Sequence, residues 1–127
     1  MSTQARMGSD VDLAGFLSSL RDSRPGIRSV FLTNSQGRSL ASSQLTGVER
    51  VQLSGSSAAS LAIASKVVND LQLGTLTQIQ VTADRGSVLL LNVGTKAVLT
   101  LLVDADAALD LVLSDARRAA DRLRGIV

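Results

Sequence analysis

A chain of 127 residues that is 45% apolar is sized for one domain with a core of its own. It contains no cysteine and no histidine, which removes disulfides, zinc–thiolate sites, thiolate nucleophiles and the usual imidazole base. Thirteen basic residues against eleven acidic ones leave a net charge of +2; the pI near 9.9 reflects the lack of side chains titrating near neutrality, so no steering toward nucleic acid is expected.

Residues 1–10 are polar and small, without the apolar centre of a signal peptide, and are expected to fray as a flexible N-terminus. Residues 11–127 are expected to form the single domain. The first periodic segment, Leu13, Phe16, Leu17 and Leu20, predicts a helix over about residues 11–23, with Ser9 or Asp10 as its N-cap. Arg24-Pro25-Gly26 stops it. Strands follow over 27–33 and 38–42, joined by the turn residues Asn34-Ser35-Gln36-Gly37.

Residues 49–73 predict a long second helix, with Gly74 at the position after its C-cap. From Val51 to Ser65 this helix carries no charge, and Gly55, Ala58, Ala59, Ala62 and Ala64 are small. The run is too short and too serine-rich to cross a bilayer, so no membrane insertion is expected. Leu61, Val68 and Leu71 form one seam, while Ile63 and Val67 lie on another side. A helix lying on a sheet in a monomer shows water a charged back; one without it is expected to be buried from a second direction, by another copy. The alternative is a solvated serine–alanine helix.

Three strands are predicted over 75–83, 87–93 and 96–103, the last two apolar on both faces and the first alternating. These two and the first strand belong in the centre, with the second and third at the edges. Asp104 or Asp106 is expected to cap a helix over about residues 107–124, whose stripe is Leu109, Val112, Ala116, Ala119 and Leu123. Arg117 and Arg118 are expected to pair with Asp121. The expected fold is a three-layer α/β/α sandwich around an antiparallel sheet, with the second helix alone on one face.

Chemistry-bearing motifs are decoys. Gly55-Ser56-Ser57-Ala58-Ala59 lacks the second glycine and the imidazole of a nucleophile elbow. Gly94-Thr95-Lys96 is a hairpin turn, not a phosphate loop. Asp104, Asp106, Asp110 and Asp115 lack the glycine of a calcium loop, since Leu109 stands at the sixth position. No catalytic residue, metal or cofactor is expected.

The ordered set Pro25-Gly26-Ile27, Val30-Phe31-Leu32, Gly37-Arg38-Ser39-Leu40-Ala41, the small-residue helix ending in Leu73-Gly74, Leu89-Leu90-Leu91-Asn92-Val93-Gly94, Ala97-Val98-Leu99 and the closing amphipathic helix resembles the Roadblock/dynein-light-chain family over about residues 12–124. The resemblance implies a profilin-like α+β fold with five antiparallel strands in the order 2-1-5-4-3. It also implies a homodimer paired through the second helix and third strand, with Ala58, Ala59, Ala62, Ser65, Thr77, Gln78 and Gln80 at the interface. Bacterial members of the MglB kind imply a cytoplasmic regulator or scaffold of a small Ras-like GTPase, with Arg50, Lys66 and Asp70 as partner contacts. The alternative is a structural adaptor that touches no nucleotide cycle.

Overall fold

The computed structural model describes residues 13–43 and 47–127; residues 1–10, with the expected cap at Ser9 or Asp10, lie outside the described residues. Helix α1 covers residues 13–22 and buries Leu13, Leu17 and Leu20. Its end is tied by Ser23, whose backbone N–H and Oγ both donate to the Leu20 carbonyl ahead of Pro25.

Strands β1 (Ile27–Asn34) and β2 (Ser39–Ser43) form the expected hairpin. The Asn34 Oδ1 accepts from the N–H groups of Gln36 and Arg38, at 2.9 Å each, an arrangement that short amide side chains favour in turns. Helix α2 (Gly47–Asp70), strands β3 (Gln78–Ala83), β4 (Gly86–Val93) and β5 (Ala97–Asp104), and helix α3 (Leu109–Arg124) complete the chain. All sheet neighbours are antiparallel and the order is β2-β1-β5-β4-β3, as expected.

Strand alternation divides the interior in two. Val30, Leu32, Leu89, Leu91, Leu99 and Leu101 point to one face, where they join Leu17 of α1 and Val112, Ala116 and Leu123 of α3 in the main core. Phe31, Leu90, Val98 and Thr100 point to the other face and are buried there, as is Ser57, the most buried of the described side chains of α2. That second layer is thinner and more polar. Among the described residues, the buried Ser57 Oγ and Thr100 Oγ1 have no hydrogen-bond partner.

Gly26 locks the two halves of the main core together. Its φ of +96° suits glycine alone, and a Cβ there would stand 2.4 Å from that of Ala107. The close approach lets the Asp104 N–H donate to the Gly26 carbonyl at 2.8 Å, seating the start of β1 against the β5–α3 connection.

Four local expectations are corrected. Helix α2 stops at Asp70, and Gln72 (φ +55°), not Gly74, takes the left-handed position after the C-cap. The Gln72 N–H donates to the Asn69 carbonyl and the Leu73 N–H to the Val68 carbonyl, the paired closing bonds of a Schellman motif. β3 then starts only at Gln78; ahead of it the Thr77 carbonyl accepts from the Asn92 N–H and the Leu76 carbonyl from the Asn92 side chain. Neither Asp104 nor Asp106 caps α3: the N-cap is Ala108, with no side-chain bond. Asp104 instead faces Arg28, at 3.4 Å. Finally, Arg117 and Arg118 do not pair with Asp121, which meets Arg124 at 3.6 Å. Arg118 is drawn to Asp115, and Arg117 donates to Gln78 Oε1 on β3 at 3.0 Å.

Candidate protein-binding site

The phase of α2 on the sheet decides which of its residues meet water. Ser57 faces inward, and Leu53, Ser60, Leu61, Ala64 and Val68, at helical spacing around it, are half-buried. The face opposite Ser57 carries Ala59, Ala62, Lys66 and Asp70, and a lateral flank is apolar and open. Ile63, Val67 and Leu71, each four residues apart, are 67%, 50% and 63% exposed, and Leu73 beyond the helix is 67% exposed.

Strand β3 adds to the same side of the molecule. Among the described residues it pairs with β4 alone, so its outer edge has no strand partner there. Val81 is 50% exposed. Its register opposite Val88, which in turn faces Leu102, puts it on the sheet face that carries Leu90 and Thr100. Single exposed apolar residues are ordinary on a soluble protein, but a helix stripe beside an apolar, unpaired edge is a docking feature.

The residues expected at the interface distribute unevenly around this patch. Ala58, Ala59 and Ala62 are exposed on α2, and Ser65 is half-buried. Thr77 is exposed just before β3; Gln80 is exposed and its Nε2 donates to Thr82 Oγ1, while Gln78 is held by Arg117 on the α3 side. Of the expected partner contacts, Lys66 and Asp70 are exposed and bonded to each other at 2.7 Å, one turn apart. Arg50 falls in the opening turn of α2, and its side chain lies outside the described residues. Leu71, expected in one seam with Leu61 and Val68, is instead exposed like Ile63 and Val67 while Leu61 and Val68 are half-buried; an uncharged helix gives no sign of which flank turns outward.

On the other face, Asp115 of α3 ties the helices together. Arg24, in the turn after α1, donates Nε to Asp115 Oδ2 at 2.6 Å, and Arg118 bonds the other carboxylate oxygen. The Arg24 hydrogen bond holds the Asp115 carboxyl below the usual carboxylate range; partial burial opposes it, and the charges of Arg24 and Arg118 reinforce it. A carboxyl depressed in the folded state stabilises above its unfolded pKa of about 3.9, and that stability is lost as pH falls through the lower, folded value. Asp115→Asn is therefore expected to melt below the wild type at neutral pH, with the gap closing in acid. Thermal melts of both proteins from neutral pH into acid check this; a gap that stays constant contradicts it.

Among the described residues, no helix is long and apolar enough to cross a membrane, and no three acidic residues gather to hold a metal ion. The chain is 29% identical to the uncharacterized protein MJ0310 of Methanocaldococcus jannaschii, over 80% of this chain and 88% of that one. In structure it resembles Myxococcus xanthus MglB, with a TM-score of 0.83 at 20% identity, covering 91% of this chain and 94% of the other. Acanthamoeba castellanii profilin IA is a more distant neighbour, with a TM-score of 0.56 at 14% identity over 88% and 96% of the two chains. The family model of the Roadblock/LC7 domain matches residues 13–103, and with the strand order and helix placement already described, the chain belongs to the Roadblock/LC7 family.

Proposed function

We propose that this protein is a non-catalytic homodimer that regulates or scaffolds a small Ras-like GTPase in the cytoplasm. The observation that carries the reading is the uncovered apolar surface of α2 and β3: Ile63, Val67, Leu71 and Val81 in water beside an unpaired strand edge. A two-fold partner satisfies both at once, because the same patch on a second copy is self-complementary. Antiparallel pairing of two β3 edges continues the sheet and uses their free backbone groups. The alanines Ala58, Ala59 and Ala62, with Ser65, let two α2 helices approach closely, while Thr77, Gln78 and Gln80 flank the joined edge.

The GTPase assignment is supported by family membership and by the fold shared with MglB. Arg50, Lys66 and Asp70 are the polar contacts offered to that partner. A rate effect would come from positioning the switch residues of the GTPase, or from an arginine supplied in trans. With a Ras-like GTPase of the same genome, addition of this protein is expected to raise single-turnover GTP hydrolysis by at least about tenfold, equivalent to roughly 1.4 kcal/mol of barrier. An unchanged rate together with no capture of either nucleotide form overturns the regulator reading; capture without a rate change makes the protein a scaffold.

A further inference from the structure

The face away from α2 holds a groove of about 600 Å³ between α1 and α3. Phe16, Leu20 and Ala119 supply its apolar lining, and Arg24, Arg118 and Arg122 its charge. Asp115 is the acidic residue among the lining side chains, and it is already shared between Arg24 and Arg118. Three guanidinium groups against one carboxylate leave an excess of two positive charges, as large as the net charge of the entire chain. The near-neutral total therefore conceals a local cationic site.

The arginines differ in how they are held. Arg24 and Arg118 are fixed by Asp115. Arg122 lies over the Phe16 ring, 5.1 Å from its centroid, and among the described residues has no carboxylate partner. A cation resting on an aromatic face is oriented yet keeps its N–H donors free for a carboxylate. Arg118 also keeps donors beyond the one spent on Asp115.

We infer that this groove binds an acidic segment of a partner protein. A bulky apolar side chain would rest on Phe16, Leu20 and Ala119, with flanking carboxylates on Arg118 and Arg122. The charge excess selects the anionic partner, and the apolar floor favours a peptide over a free phosphate. The site is independent of the proposed dimer, because α1 and α3 cover the sheet face opposite α2; a second copy on α2 leaves it open.

The probe is a short fluorescein-labelled peptide of glutamates around a central leucine and phenylalanine, titrated against the full chain by fluorescence anisotropy. Binding is expected to weaken as salt rises and to fall about tenfold or more in Arg118→Glu/Arg122→Glu. The same peptide with lysines for glutamates is expected not to bind. Because Arg118→Glu places a like charge beside Asp115, Arg122→Glu alone is measured too, with thermal melts of each variant. Amide shifts in the wild type are expected at Phe16, Arg118 and Arg122. Equal binding of the lysine peptide, affinity unchanged in a folded Arg122→Glu, or shifts confined to α2 would each overturn the inference. Tighter binding of a single-stranded oligonucleotide to these residues would overturn the peptide assignment.

Discussion

Phe31→Ala is expected to lower the unfolding free energy by about 3–5 kcal/mol, the range for removing a fully buried phenylalanine. Phe31 is completely buried in β1, between Ser42 of β2 and Thr100 of β5, and points to the thin layer under α2. That layer has little to spare: its helix presents Ser57 inward, and among the described residues the hydroxyls of Ser57 and Thr100 find no partner. Without the ring, the sheet keeps Leu90 and Val98 as its buried apolar side chains on this face. For a domain of this length the loss corresponds to a fall in Tm of about 10–20 °C. Denaturant unfolding measures it, and hydrogen exchange should show α2 amides losing protection before those of α3. A loss under about 1 kcal/mol would mean that α2 is held by contacts other than this layer.

The second large effect is expected on assembly. Ile63→Asp with Val67→Asp places two carboxylates one turn apart on the exposed stripe of α2. In a monomer they would be harmless, since both positions already face water. In a two-fold dimer that covers them each occurs once per subunit, so at about 1 kcal/mol or more apiece the four carboxylates weaken association by roughly a thousandfold or more. The variant is therefore expected to fold normally and sediment as a monomer. Ala62→Arg, on another exposed position of the helix, is expected to weaken the dimer in the same direction. A double variant that stays dimeric would place the contact elsewhere.

Much of this architecture is legible in the residues. The three-and-four period of α3 and the two-faced apolar strands β4 and β5 place β1, β4 and β5 in the centre and β2 and β3 at the edges, while the full order 2-1-5-4-3 follows from the resemblance to the Roadblock family. The lack of charge in α2 marks the element that the structure leaves with exposed apolar side chains, Ile63 and Val67. What escapes is whatever depends on phase or on distant partners. A helix with a charged back announces its orientation; α2 has none through its middle, so the exposed flank emerges as Ile63, Val67 and Leu71 beside the small alanines. Asp115 reads locally as one more acidic residue of α3, yet its main partner, Arg24, lies 91 residues away. The start of α3 is set by tertiary contact as well, since Asp104 N–H is bound to Gly26 and no side chain is needed to cap the helix. At the end of α2, the pair of closing hydrogen bonds outweighs the preference for glycine and puts Gln72 in the left-handed position.

Sedimentation of the wild-type chain over a range of concentrations probes the unpartnered flank of α2 directly. A species of twice the 13.2 kDa chain mass, whose Ile63, Val67 and Leu71 amides gain protection from exchange as it forms, is the expected result. A chain that remains monomeric at every concentration, with that stripe freely hydrated, would contradict the proposed dimer and the function built upon it.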